Sequence, residues 1–207
     1  MSKPQNARFI RNPRKRSTNE LIIVATEGAV TERDYIVALY QTFQKKQEIR
    51  SKERIMITLK MLRPNNHSSP SGRLKTLKRE IATSRIDAND TAWFICDRDD
   101  WNREQFLCVQ AWVDSNPAQN RWILSSPNFE YWLKLHFDSS ADAKIFFDRY
   151  DKHVKPTDFS YDQIVRACKK ARTLRAHASS LFEQDGTEMF LFVEFLAEKF
   201  KLEDDFK

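Results

Sequence analysis

Leu21-Ile-Ile-Val-Ala-Thr-Glu27-Gly28 is a short apolar, largely β-branched run that stops abruptly on an acid and a glycine. An apolar run without polar alternation is the mark of a strand buried on both faces, as in a parallel sheet. A second run of this kind, Thr91-Ala-Trp-Phe-Ile-Cys96, stops on Asp97-Arg98-Asp99, and Arg121-Trp-Ile-Leu124 gives a third. Ile55, Ile57, Leu59 and Met61 alternate instead and predict a half-buried strand. Between these segments apolar residues fall at helical spacing: Tyr35, Ile36, Leu39, Tyr40 and Phe43, then Leu74, Leu77 and Ile81, then Phe106, Val109, Ala111 and Val113. Strands joined by helices pair in parallel through right-handed crossovers. The expected fold class is therefore α/β, with a four-stranded, mainly parallel sheet flanked by helices.

Behind the last strand the pattern is helical to the end, over residues 129–137, 141–150, about 159–182 and 188–201. The reading divides the chain into a basic arm (1–19), an α/β core (20–137) and a helical C-terminal portion packed on it (138–207). Thr31 with Asp34 resembles a capping box, Pro127 suits a first helical position, and residues 63–72 carry turn chemistry throughout, predicting a long loop.

Composition removes several function classes. The chain has 207 residues, 35 Lys+Arg and 29 Asp+Glu, a formal charge of +6. Lys3, Arg8, Arg11, Arg14, Lys15 and Arg16 all precede the first acid, so the excess charge is local to the arm. Such an arm either tracks nucleic-acid phosphates or serves as a solubilising extension. Arg166, Lys169, Lys170, Arg172 and Arg175 concentrate charge again on a predicted helix, as a nucleic-acid groove or a solvated face. With glycine only at 28, 72 and 186, neither a dinucleotide fingerprint nor a phosphate-binding loop can be written. A nucleophile elbow, H-E-x-x-H and C-x-x-C are absent as well. No apolar stretch spans a bilayer and no apolar leader follows the basic start, so the expectation is a cytoplasmic protein with no membrane partner. What remains is carboxylate chemistry.

Ligands of open parallel sheets bind beyond the carboxyl ends of the strands. Glu27 follows the first strand there, with Gly28 letting the backbone come close to an anion, and Asp97 and Asp99 end the third. If the chain stays extended, Asp97 and Asp99 share a face while Arg98 points away. Like charges so placed call for a proton, a cation or water, and Mg²⁺ is the best candidate, with Mn²⁺ as its alternative. Taken alone, the run 97–100 also reads as a polar strand-to-helix turn. Trp93, Trp112, Trp122 and Trp132 lie on apolar faces and read as core, whereas Trp101 is the aromatic placed to meet a substrate.

Taken together, three ordered blocks resemble the RloB family, a branch of the Toprim-like proteins. They are Asn19-Glu-Leu-Ile-Ile-Val-Ala-Thr-Glu27-Gly-Ala-Val-Thr-Glu32-Arg-Asp-Tyr35, Ala92-Trp-Phe-Ile-Cys-Asp97-Arg-Asp99 and Ser125-Ser-Pro-Asn-Phe-Glu130-Tyr-Trp-Leu-Lys-Leu-His136-Phe137. Ala25-Thr26 depart from the family's strand ending, but Glu27-Gly28 are kept. The resemblance implies a Toprim-like sheet and a metal-dependent phosphodiesterase of RNA or DNA, an endonuclease effector of anti-phage abortive infection. Its catalytic residues would be Glu27, Asp97 and Asp99. By position Glu32 and Glu130 would extend the metal set, although each is equally an ordinary first-turn acid. Arg11, Arg14, Lys15, Arg16, Lys169, Lys170 and Arg172 would contact nucleic acid. The partner implied is a separate ATPase of the ABC/OLD type, and a homo-oligomer is left open. The competing expectation is a noncatalytic nucleic-acid-binding or ATPase-regulatory subunit.

Overall fold

A computed structural model describes residues 19–53, 55–63, 69–177 and 180–207. The first apolar run forms strand β1 (Glu20–Thr26), which helix α1 (Thr31–Arg50) joins to β2 (Ile57–Met61). Helix α2 (Pro70–Ser84) leads to β3 (Thr91–Asp97), and a 3₁₀ turn (Arg103–Phe106) with helix α3 (Leu107–Ser115) leads to β4 (Asn120–Ser126). Helices α4 (Phe129–Lys134), α5 (Ser140–Phe147) and α6 (Tyr161–His177) follow. A two-residue strand β5 (Gly186–Thr187), helix α7 (Met189–Lys199) and a closing 3₁₀ turn (Glu203–Phe206) end the chain.

The strand order is β2-β1-β3-β4-β5. The four expected strands pair in parallel, with Val24 opposite Met61 on one side and Trp93 on the other. The fifth was not expected. It pairs antiparallel with the end of β4, Ser125 facing Thr187 and Ser126 facing Gly186, so the C-terminal portion completes the sheet. This arrangement is consistent with a Toprim-like α/β fold.

The buried strands supply a core on each face, because successive side chains alternate. Ile22, Val24, Trp93, Ile95 and Ile123 turn toward α1, α4, α6 and α7, while Ile23, Ala25, Ala92, Phe94, Cys96 and Leu124 turn toward α2 and α3. Each such burial is worth roughly 1.5–3 kcal/mol for a large aliphatic or aromatic side chain. Trp93, Trp112 and Trp132 are buried and Trp122 stacks on Phe106, so these four indoles serve packing. His136 is fully buried, with Tyr35 donating to its Nε2 (3.0 Å) and its Nδ1 facing the Trp132 carbonyl (3.1 Å). Burial pushes its pKa down to about 3, so it is neutral and structural.

The elements depart from the local signals at three places. Thr31 is the first residue of α1 rather than its cap: Val30 precedes it with no side-chain cap bond. Thr31 Oγ1 instead accepts from the Tyr150 hydroxyl (2.6 Å) and donates to the Lys152 carbonyl (3.2 Å). The predicted long loop is shorter than expected, because Ser69 caps α2 through the Gly72 N–H and Pro70 takes the first helical position. Residues 64–68 lie outside the described residues. Pro127 is not in a helix, since extended Asn128 precedes Phe129, the first residue of α4. Among the described residues no helix is long and apolar enough to cross a membrane.

Candidate metal-binding acidic site

The connection through α1 runs from β1 to one side, and the chain returns through α2 on the opposite face to place β3 on the other side of β1. The carboxyl ends of β1 and β3 therefore flank the topological switch point, where a parallel sheet opens a crevice. Glu27 and Asp97 stand at those two ends. The Glu27 N–H donates to the Ile95 carbonyl (3.1 Å), and the Asp97 N–H donates to Glu27 Oε2 (3.1 Å). Sequence-distant acids are thus joined through the sheet ladder itself.

The chain does not remain extended past Asp97. Asp99 is left-handed, with φ of 41°, a region that Asp tolerates better than most residues. The expected strand alternation therefore fails at this residue. The turn is pinned to the neighbouring strand end: Arg98 N–H donates to the Ser125 carbonyl (2.7 Å), Asp99 N–H to the Pro127 carbonyl (2.9 Å), and Arg98 Nε to Ser126 Oγ (3.0 Å). Arg98 is a brace, and Asp99 is left exposed beside the crevice.

Glu32 reaches the same place from α1. It is only 5 % exposed, and its Oε1 accepts from the Gly28 N–H (2.7 Å). The anion that Gly28 admits is thus the chain's own carboxylate. A Cβ on Gly28 would lie 1.8 Å from Glu32 Oε2. Gly28→Ala is accordingly expected to expel that carboxyl and lose about 1–3 kcal/mol, the cost of stranding a buried hydrogen-bonding group. In a Glu32→Ala background the same change should cost little, which a double-mutant cycle by urea denaturation measures.

Electrostatics connect the acids. Burial first, and then the charge of Glu32, push the Asp97 carboxyl up to about 9; Asp99 and Glu27 add to this, against an opposing hydrogen bond from the Phe129 N–H. Glu27 is raised by burial, Asp99 and Glu32, and is opposed by the Asp97 N–H and the Trp101 indole. Glu32 is raised by burial and by Glu130, and is opposed by the Gly28 N–H and Arg73. Asp99 is raised by burial and Asp100, against Arg98. Glu27, Glu32, Asp97 and Asp99 therefore repel one another across one crevice, and Glu130 at the start of α4 adds to the field at Glu32.

These hard oxygen donors fit a divalent cation of the Mg²⁺ or Mn²⁺ type, which tolerates few protein ligands and keeps waters. Among the described residues no three His, Cys, Asp or Glu side chains already form a closed ligand set. Glu27 Oε2 and Glu32 Oε1 are held by backbone N–H groups, leaving their other oxygens for a ligand. A 460 Å³ cavity bordered by Trp122, Leu124, Leu181 and Leu191 lies elsewhere and is lined by none of these four acids.

Of the cations on α6, Lys170 donates to the Phe137 carbonyl (2.7 Å), and Arg172 pairs with Glu194 and donates to the Phe206 carbonyl (3.1 Å). Arg166 pairs with Asp138 (3.6 Å) and Arg175 with Glu188 (3.3 Å). These side chains bind the C-terminal portion together, while Lys169 is exposed. Arg11, Arg14, Lys15 and Arg16 lie outside the described residues. Trp101 is close enough to Glu27 to favour its ionised form. Two contributors escaped sequence reasoning, the Phe129 N–H and Arg73. The guanidinium Nη2 of Arg73 donates to the Glu27 main-chain carbonyl (2.6 Å), yet in sequence Arg73 is one basic residue among several on α2.

A protein-family model described as RloB-like protein matches residues 22–196, a span that includes every acid of the crevice. No curated protein and no solved structure matches the chain.

Proposed function

The chain belongs to the RloB-like family, and from that premise we propose that it is a divalent-metal-dependent nuclease, cutting phosphodiester bonds in RNA or DNA as an effector of anti-phage defence. The observation that carries this reading is the crowding of Glu27, Glu32, Asp97 and Asp99 at the switch point of the sheet, where each raises a neighbour's pKa. A fold keeps mutually repelling acids together when a ligand repays the cost. Asp97, Asp99 and Glu27 would hold Mg²⁺ or Mn²⁺, and Glu32 and Glu130 would extend the set toward a second ion. A cation bound there supplies Lewis acidity, lowering the pKa of water and offsetting charge on the phosphodiester.

The protein's own groups then divide the work. The Phe129 N–H orients Asp97, and the Asp97 N–H fixes Glu27 through Oε2. As the alternative to ligating the ion, Glu27 takes up and returns a proton through Oε1, a role its raised pKa favours. The chain carries no phosphate-binding loop, so any nucleotide-driven step belongs to a separate ATPase of the ABC/OLD type. The basic arm supplies sequence-independent affinity for phosphates.

Incubating the protein with transfer RNA or plasmid DNA and Mg²⁺, alone and with the partner ATPase and ATP, tests the proposal on a gel. Metal-dependent products that EDTA abolishes are expected; no products in any combination would overturn it. The rival, a noncatalytic nucleic-acid-binding or regulatory subunit, draws on the lack of a closed three-ligand set among the described residues. It predicts nucleic-acid binding that is indifferent to Mg²⁺, with no cleavage.

A further inference from the structure

Arg73 is the fourth residue of α2 and approaches the acidic crevice from the face opposite α1. It is only 9 % exposed, and among the described residues no other arginine is buried. Its anchor is the main-chain carbonyl of Glu27, at 2.6 Å from Nη2. The buried Nε has no acceptor among the described residues. The charges of Glu27 and Glu32 are near enough to favour the guanidinium form against the opposing effect of burial.

An arginine whose task was to neutralise these acids would place its donors on their oxygens. This one grips a backbone carbonyl and leaves a buried donor unsatisfied, which costs about 1–3 kcal/mol. The missing partner must be an acceptor, and the position selects an anion, because the guanidinium keeps its charge and α2 directs the positive end of its dipole to the same side. A tetrahedral oxyanion suits the planar fork of donors and can meet a cation held by the acids with its other oxygens.

We propose that Arg73 is the phosphate-binding residue of the acidic site, its guanidinium holding a non-bridging oxygen of a phosphodiester against the Glu27 end of the crevice. This rests on the nuclease reading for the identity of the phosphate, while the binding itself can be observed without turnover. The anchor on the Glu27 carbonyl makes the guanidinium a fixed reference, so that a phosphate seated on it also lies beside Glu27.

The test is a titration of the full-length protein with dimethyl phosphate in the presence of Mg²⁺, following arginine Nε–H resonances by NMR. One Nε–H signal, assigned by its loss in Arg73→Lys, should move saturably with dimethyl phosphate and stay still with equal concentrations of chloride. Arg73→Gln should weaken phosphate binding at least about tenfold, the scale of one charge-assisted hydrogen bond. Arg73→Lys keeps the charge without the fork and should fall between. An unmoved Nε–H signal, or equal phosphate affinity in Arg73→Lys and the parent, overturns the assignment even if Arg73→Gln fails to fold. Phosphate binding at Arg73 in a protein that never cuts would remove the nuclease reading and keep the subsite. Cleavage with an unresponsive Arg73 would do the reverse.

Discussion

Asp97→Asn is expected to lower cleavage by about a hundredfold to a thousandfold, the scale lost when a preorganised charged group leaves an active site. The same change should raise the melting temperature of the metal-free protein by about 2–4 °C, the shift that ~1 kcal/mol produces in a domain of this size. Both follow from one geometry. Asp97 stands at the β3 terminus, and burial with the charges of Glu32, Asp99 and Glu27 pushes its pKa up to about 9. Asparagine is nearly isosteric and its carbonyl can still accept from the Phe129 N–H, so the orientation survives while the need to protonate a buried carboxyl on folding is removed. A packing residue would lose stability and activity together; here the two should move in opposite directions. Gel cleavage assays beside thermal melts in EDTA decide the matter. Undiminished cleavage, or a melting temperature that falls by several degrees, would dispose of the role given to Asp97.

The second large effect is a coupling of stability to pH and to divalent metal. With an ordinary pKa of 3.8 and a folded value of about 9, the Asp97 carboxyl is protonated in both folded and unfolded chains below the lower figure. Between the two values the unfolded chain has released the proton and the folded chain retains it. Folding then takes up a proton, so this group's contribution falls as pH climbs through the window. Glu27, Glu32 and Asp99 are displaced in the same direction and act in the same sense. A divalent cation binds the ionised carboxylates and stabilises the folded state in proportion to its affinity, so its benefit grows as protons leave. Melts at about pH 5.5 and about pH 8.5, with EDTA or with Mn²⁺, should show a larger metal-induced gain at the higher pH. The gain should largely vanish in Asp97→Asn. A gain equal at the two pH values, or none, would remove the cation from the account.

Much of this was legible in the residues because the two kinds of information involved are local. Strand runs such as 21–25 and 91–96 carry no polar alternation, and only a strand covered on both faces can satisfy that pattern. Acids placed at the ends of those runs had to lie at one edge of a parallel sheet. The errors are instructive for the same reason. Asp97 and Asp99 were expected on one face of an extended chain, whereas β4 pins Arg98 and Asp99 into a left-handed turn, and no spacing in the sequence encodes that strand's grip. Thr31 carries a cap signature that Tyr150 and Lys152, more than a hundred positions away, redirect.

The sequence by itself determined the α/β class, the parallel pairing of four strands and the candidate acids Glu27, Asp97 and Asp99, because hydrophobic periodicity and residue chemistry are properties of short segments. Tertiary structure alone decided that Glu32 folds back on Gly28, that β5 comes from the C-terminal portion, and that Arg73 reaches the Glu27 carbonyl. Each of those depends on which elements become neighbours across the sheet. Desolvation and charge repulsion among groups far apart in the chain arise only once burial has brought them into one crevice.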